Sequence, residues 1–468
     1  MNSLHIGLSV VATDVGGGFS IGLGGLGFTM GLAGSWMLFT GLIGAWMAAV
    51  LLIPKVKGNR AFDKAYTFPE VFKHFFNARV ALIAGIISAI GYTGFTSSQI
   101  LAGAKLANGT FANLDLQTAL FIMGTVAVLY TVLGGLKAVI YTDTIQWTIL
   151  MLGLIFIGIP VSYDAVGGWS EIQATVDPQL LSLGNITWQR VVYWGATIIP
   201  IWFVGMTLYQ RIYACRDEKT AKRAWYLAGL FEWPVMAFMG VLLGLFAKVA
   251  ASQGMFDYLG AADISDTDPE TGLPMLLRTV LPVGLMGIMM SAYFSAILST
   301  ADSCLMASSG NVVSDIIGYF KKIDHESPRF LRFSQITTFI IGAGALLLAS
   351  SMQSVLNLML YSYAFMVSGL FVPIIGALYW ERSSSAGAIS AMLIGGTTTV
   401  YLTVGHPVLS WEGFSLSFWN DIAIDFIEIA LPYGLDPNVF GISASAIIFV
   451  TVSLLFPDKE KSENLKKV

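Results

Sequence analysis

Apolar stretches of about twenty residues recur from one end of this chain to the other, and no other feature constrains its fold as tightly. A helix needs roughly twenty predominantly apolar residues to cross the ~30 Å hydrocarbon core of a bilayer. Twelve such runs can be read, at about 4–30, 33–54, 80–106, 117–135, 139–163, 189–213, 221–250, 281–318, 332–350, 354–379, 384–404 and 438–456. Helices satisfy their backbone polar groups internally, which lipid demands. Only 12% of residues are charged and 55% are hydrophobic, and no polar stretch is large enough for a separate soluble domain. Residues 1–468 are therefore expected to form one all-α polytopic membrane domain, ending in a short cytoplasmic tail at 457–468.

Basic residues set the orientation, because cytoplasmic connections carry the excess of Lys and Arg. All but four of the 25 Lys and Arg fall in alternate connections or in the tail, which places both termini in the cytoplasm. The exceptions, Lys105, Arg190, Lys248 and Arg278, sit at helix ends, where long stems can snorkel to water. The opposite connections, 164–188, 252–271 and 405–437, hold acids and no Lys or Arg. The expected surroundings are the lipid of a plasma (inner) membrane. A net charge of −4 marks no nucleic-acid partner, and oligomeric state stays open. Cys215 and Cys304 lie on different segments and read as apolar fillers, and the four histidines are scattered. No disulfide framework, metal cluster or catalytic constellation is expected, so the chain does not read as an enzyme.

Two segments depart from plain apolar helix. The first holds "ATDVGGGFSIGLGGLG" (12–27), with a carboxylate and three successive glycines at its centre. Glycine costs roughly 1 kcal/mol per helical position, and a mid-bilayer carboxylate at least about 2.5–3.5 kcal/mol. Such a stretch survives where irregular backbone is buried in protein or lines a watery cavity. The second is the sixth run, "GATIIPIWFVGM" (195–206), with Pro200 near mid-span, either a kink or an unwound point. Runs one and six each open a block of five, the second entering the membrane from the opposite side. Interrupted helices at matching positions in two such halves point to a transporter site. The expected boundaries are 4–163 and 189–379 for the halves, with accessory helices at 384–456.

The eighth run adds "SAILSTADSCLMASS" (295–309), in which Ala296, Ser299, Thr300 and Ser303 share one helix face. Such a small, hydroxyl-bearing face suits close helix packing. It also suits a sodium site, since a hard cation takes hydroxyl and carbonyl oxygens. The intramembrane acids Asp14, Asp143, Glu232 and Asp302 are further candidates, with structural anchoring as the alternative.

"LYTVLGGLKAVIYTDTIQ" (129–146) resembles the signature of the sodium/solute symporter family. "ATDVGGGFSIG" and "AILSTADSCLMASS" resemble that family's sodium-site helices. "TFPEVFKHFFN" (67–77) resembles its Pro-Glu loop, and "LYQRIYACRDEKTAKRA" (208–224) its Gln-Arg loop. The resemblance implies a five-plus-five inverted-repeat transporter fold with two discontinuous helices and C-terminal accessory helices. The family usually has one more helix ahead of the broken one, and the sequence in hand starts at the broken helix.

Carried onto this sequence, the resemblance implies a sodium site built from the carbonyls of Ala12, Val15 and Ala296 with the hydroxyls of Ser299 and Thr300. It also implies room for a second sodium, or a proton, around Asp143, Ser303 and the additional carboxylate Asp302. Phe19, Leu38 and Gly205 stand where the sugar-transporting branch has polar sugar ligands, so the proline and choline branches are the better match. Phe19, Trp36, Tyr92 and Trp202, with Gly205 and Met206, are the candidate substrate-binding positions, offering apolar or cation–π surface. Packing is the alternative for each aromatic. The implied activity is sodium-coupled import of a small organic solute by alternating access, with Na⁺ as coupling ion. Proton coupling on the same fold is the runner-up, and a channel is the more distant one.

Overall fold

The structure, a computed structural model, describes residues 3–62, 65–134, 146–261, 264–321, 328–411, 422–427 and 431–458. Each expected apolar run with described residues is helical. The spans are α1 (Ser3–Met30), α2 (Trp36–Leu51), α3 (Ala78–Thr110), α4 (Leu116–Gly134) and α5 (Gln146–Ala165). The pair α6 (Trp188–Val204) and α7 (Met206–Ala214) follows, bent by 43° at the residue between them. Then come α8 (Glu218–Ser252), the shorter α9 (Pro269–Val280), α10 (Val283–Phe320) and α11 (Pro328–Ser350). The last three are α12 (Val355–Tyr379), α13 (Ser385–Val404) and α14 (Pro437–Leu455). Among the described residues, ten helices can cross a membrane by length and hydropathy, and the bent pair makes eleven. Taking α1 and α2 as separate crossings gives the expected twelve.

Polar residues just ahead of the helices explain where many of them start. The first amides of a helix have no partner within it, so a side-chain oxygen before the first turn stabilises that end. Asn77 accepts from the amides of Arg79 and Val80, Thr187 from Arg190, and Asp217 from Thr220. Asp268, Ser354, Ser384 and Asp436 do the same for α9, α12, α13 and α14.

The broken α1 lies inside the bundle, in contact with α3, α8, α9, α10 and α12. Small residues permit these approaches. A Cβ on Gly27 would fall 2.2 Å from the Val241 carbonyl oxygen, and one on Gly244 2.0 Å from that of Gly24. The helices α13 and α14 pack on each other and on α12, to one side of this core.

Two expectations are corrected. Pro200 lies inside helical α6, and the sixth run breaks at Gly205 instead (φ −68°, ψ 112°). Lys105 does not snorkel. It is buried, with Nζ 2.7 Å from Asp268 Oδ2 and 2.6 Å from Glu270 Oε2, because α9 brings two carboxylates to the end of α3. The connections 252–271 and 405–437 also carry structure of their own: the start of α9, and an antiparallel pair of strands, β1 (His406–Trp411) and β2 (Ile422–Ile427).

Candidate sodium and solute site

At Gly16 the backbone of α1 leaves helical geometry, with φ +39° and ψ −170°. Side-chain-bearing residues rarely adopt that conformation. The space where a side chain would begin is taken by Thr300, since a Cβ on Gly16 would lie 2.7 Å from Thr300 Cγ2 and 2.8 Å from its Oγ1. Interrupting a helix frees carbonyls from the i to i−4 ladder, and here the freed end meets a hydroxyl-bearing face.

Four oxygens gather at this contact. Thr300 Oγ1 lies 3.1 Å from the Ala12 carbonyl oxygen and 3.2 Å from that of Ala296. Ser299 Oγ donates to the same Ala296 carbonyl at 3.1 Å. Ala12, Ala296, Ser299 and Thr300 are all buried. Beyond the break, the Gly16 carbonyl accepts from Ser20 Oγ at 3.2 Å. Val15 immediately precedes the break. Asp143 and the side chains of Val15 and Phe19 lie outside the described residues.

One turn along α10, Asp302 is fully buried, with the Thr131 hydroxyl of α4 against its Oδ1. Thr131 also lies 2.8 Å from the Ala127 carbonyl, so this carboxylate is anchored to α4. Ser303, next in sequence, is buried as well.

The solute candidates divide into two groups. Tyr92, Gly205 and Met206 come together at the second break. Tyr92 of α3 places its hydroxyl 3.0 Å from Thr207 Oγ1 and accepts from the Thr207 amide at 3.1 Å. Met206 turns its sulfur to the Phe68 amide at 3.1 Å, tying α7 to the connection after α2. Trp202 and Trp36 go elsewhere. Trp202 is fully buried against the ring of Trp225, and a Cβ on Gly44 would touch it. Trp36 stacks on Trp233 and donates from Nε1 to the Leu183 carbonyl at 2.8 Å. Both fill space beside α2 and α8.

The sequence reading passed over Thr13, Thr207 and Arg211. It counted Arg211 among loop cations, yet the residue lies within α7, is 9% exposed, and donates to Thr13 Oγ1 and to the Thr207 carbonyl. The signal was there in the helical periodicity, which places Arg211 four residues after Thr207, on one face.

The profile of the sodium:solute symporter family matches residues 1–395. The chain belongs to that family. Among curated relatives, the osmoregulated proline transporter OpuE of Bacillus subtilis is 28% identical over 461 residues, covering 93% of this chain and 89% of the relative. The high-affinity proline transporter PutP of Bacillus subtilis is 26% identical, covering 96% and 89%. A sodium/proline symporter of Haemophilus influenzae is 26% identical, covering 85% and 80%. A sodium-coupled sialic acid symporter, solved in a substrate-bound outward-open state, superposes with a TM-score of 0.72 at 19% identity over 98% of this chain and 91% of that one. The nucleobase-cation-symport-1 family transporter Mhp1, in a closed conformation, superposes at 0.57 with 13% identity, covering 100% and 96%. This member of the sodium:solute symporter family has the inverted-repeat transporter fold with two discontinuous helices. It is an integral membrane protein that couples sodium to solute symport, and it is a transporter, not an enzyme.

Proposed function

We propose that this symporter imports a small organic solute, an amino acid such as proline, an organic cation or another small nutrient, by alternating access driven by sodium. That ion sits among the carbonyl oxygens of Ala12, Val15 and Ala296 and the hydroxyls of Ser299 and Thr300. The observation that carries the reading is the Gly16 break pressed against Thr300, which brings the buried Thr300 hydroxyl of α10 to 3.1 Å from the Ala12 carbonyl of α1. The repeats span 4–163 and 189–379, with 384–456 as accessory helices, and the termini lie in the cytoplasm.

Sodium bound there draws α1 to α10 and so stabilises the conformation that also receives solute. Each ligand then raises the other's affinity by the same factor. A tenfold sodium gradient is worth about 1.4 kcal/mol, and a 100 mV potential adds about 2.3 kcal/mol per charge. Together they concentrate a neutral solute several hundredfold. No side-chain carboxylate belongs to this oxygen set, so the ion's charge is not cancelled by the site and the potential acts on it. The names of the proline-transporting relatives support the solute class.

A second reading is favoured by Asp302. A fully buried carboxylate next to Ser303 suits a second sodium or a proton, together with Asp143. Purified protein in proteoliposomes separates these readings. Uptake of labelled proline, and of a panel of amino acids and organic cations, is expected to require an inward sodium gradient and to respond to membrane potential. Uptake driven equally by a pH gradient in sodium-free buffer would overturn sodium as the coupling ion.

A further inference from the structure

A run of hydrogen bonds, completed by one peptide link, leads from the second break to the oxygens beside the first. Tyr92 of α3 binds Thr207 through its amide and hydroxyl. The Thr207 carbonyl accepts from Arg211 Nη1 at 3.0 Å, and Arg211 Nη2 donates to Thr13 Oγ1. Thr13 is covalently next to Ala12, whose carbonyl faces Thr300 Oγ1 at 3.1 Å. Thr13, Thr207 and Arg211 are all buried. A guanidinium taken out of water is costly unless its donors are used. Here two prongs of one planar group reach two different helices, a geometry that Lys, with a single point charge, does not reproduce.

The mechanical setting makes this contact consequential. Helix α7 is nine residues long, detached from α6 by the extended Gly205 and ended by Cys215. Arg211 ties it to the first half of α1, three residues before the break there. A cation entering beside Ala12 competes with the Thr300 hydroxyl for the Ala12 carbonyl and so repositions the adjoining Thr13.

We infer that Arg211 is a positioning residue that relays sodium occupancy from α1 to α7, and through Thr207 to the solute side of the second break. This rests on the sodium site proposed above. The ion acts on Thr13, Thr13 on the guanidinium, and the guanidinium on a half-helix set apart from α6 at Gly205.

Cys215 supplies a native reporter. It is 3% exposed at the end of α7, and burial pushes its thiol up to about 11, so alkylation is slow unless that end moves. The test uses the full-length chain in nanodiscs with Cys304→Ser, which leaves Cys215 as the single cysteine. Two measurements are made on each protein: ²²Na⁺ binding, and the rate of N-ethylmaleimide labelling in NaCl against KCl. Without further changes, this protein is expected to bind ²²Na⁺ and to label at rates differing about fivefold or more between the salts, the lower end of ordinary coupling. In Thr13→Val and in Arg211→Lys, ²²Na⁺ affinity should stay within about threefold, a change under roughly 1 kcal/mol, while the NaCl-to-KCl ratio falls to about one.

Thr13→Val leaves the arginine in place, so a response lost in both variants is not the loss of a charge. If either variant keeps the original ratio, or if both lose ²²Na⁺ binding outright, the relay is overturned. A reference protein that binds sodium with no labelling response also overturns it. A reference protein that binds no ²²Na⁺ overturns the sodium site first, and the relay with it.

Discussion

The two broken helices stop being helical for different reasons. At Gly16 the cause is in the residue itself: φ +39° with ψ −170° is glycine's territory, and Thr300 occupies the place of a side chain. At Gly205 the angles are φ −68° and ψ 112°, which any residue adopts. There side chains hold the chain open: the Tyr92 hydroxyl takes the Thr207 amide, and the Tyr209 hydroxyl donates to the Phe203 carbonyl that this amide would otherwise meet. One interruption depends on a missing side chain, the other on partners that give amides and carbonyls an alternative to the helix ladder.

Substitutions should pull these two cases apart. Gly16→Ala combines backbone strain of about 1–3 kcal/mol with a 2.7 Å clash on Thr300. Sodium-driven uptake in proteoliposomes is expected to fall on the order of 100-fold, equivalent to roughly 2.7 kcal/mol. Next in size, Ser299→Ala with Thr300→Ala removes two oxygens from the first site. At about 0.7–1.4 kcal/mol each, the sodium concentration for half-maximal uptake should rise by roughly 10- to 100-fold. An unchanged sodium affinity in that double variant counts heavily against the site.

Tyr92→Phe tests the second break through its partner. It takes the acceptor from the Thr207 amide at a cost of about 1 kcal/mol, and solute KM is expected to rise roughly fivefold at saturating sodium. The smallest effect belongs to Gly205→Ala. Its Cβ would meet Leu208 Cδ1 at 3.1 Å and the Ile201 carbonyl at 3.2 Å, at an unstrained φ. Transport should stay within about threefold of the unaltered protein, under roughly 1 kcal/mol. If Gly205→Ala were as damaging as Gly16→Ala, the contrast between the breaks would collapse.

The same contrast separates what the residues disclosed from what they hid. The helices and the first break were legible because their causes are local: apolar runs of spanning length, a glycine cluster, and a hydroxyl stripe at helical spacing. The second break drew attention to Pro200, the local oddity, whereas the deciding group, Tyr92, lies over a hundred residues away in sequence. Lys105 looked like a snorkelling cation for the same reason, since its partners Asp268 and Glu270 belong to a distant helix. Trp36 and Trp202 look in sequence like any aromatic able to line a pocket, and only packing places them beside α2 and α8. Arg211 was hidden by its company, because a cation within a basic stretch reads as solvated until its helix is seen to bury it.

Glu270 deserves a last consideration for how much converges on one carboxylate. Its oxygens receive Lys105 from α3 and, from the start of α12, the Ser354 hydroxyl and the amides of Val355 and Leu356, while Gly25 of α1 abuts its stem. Prising α9 from α12 therefore forfeits the bonds from Ser354, Val355 and Leu356 in a single stroke, with no partial retreat available. That end of the bundle behaves like a bolt and not a spring: it stands shut, or it swings with α12 attached.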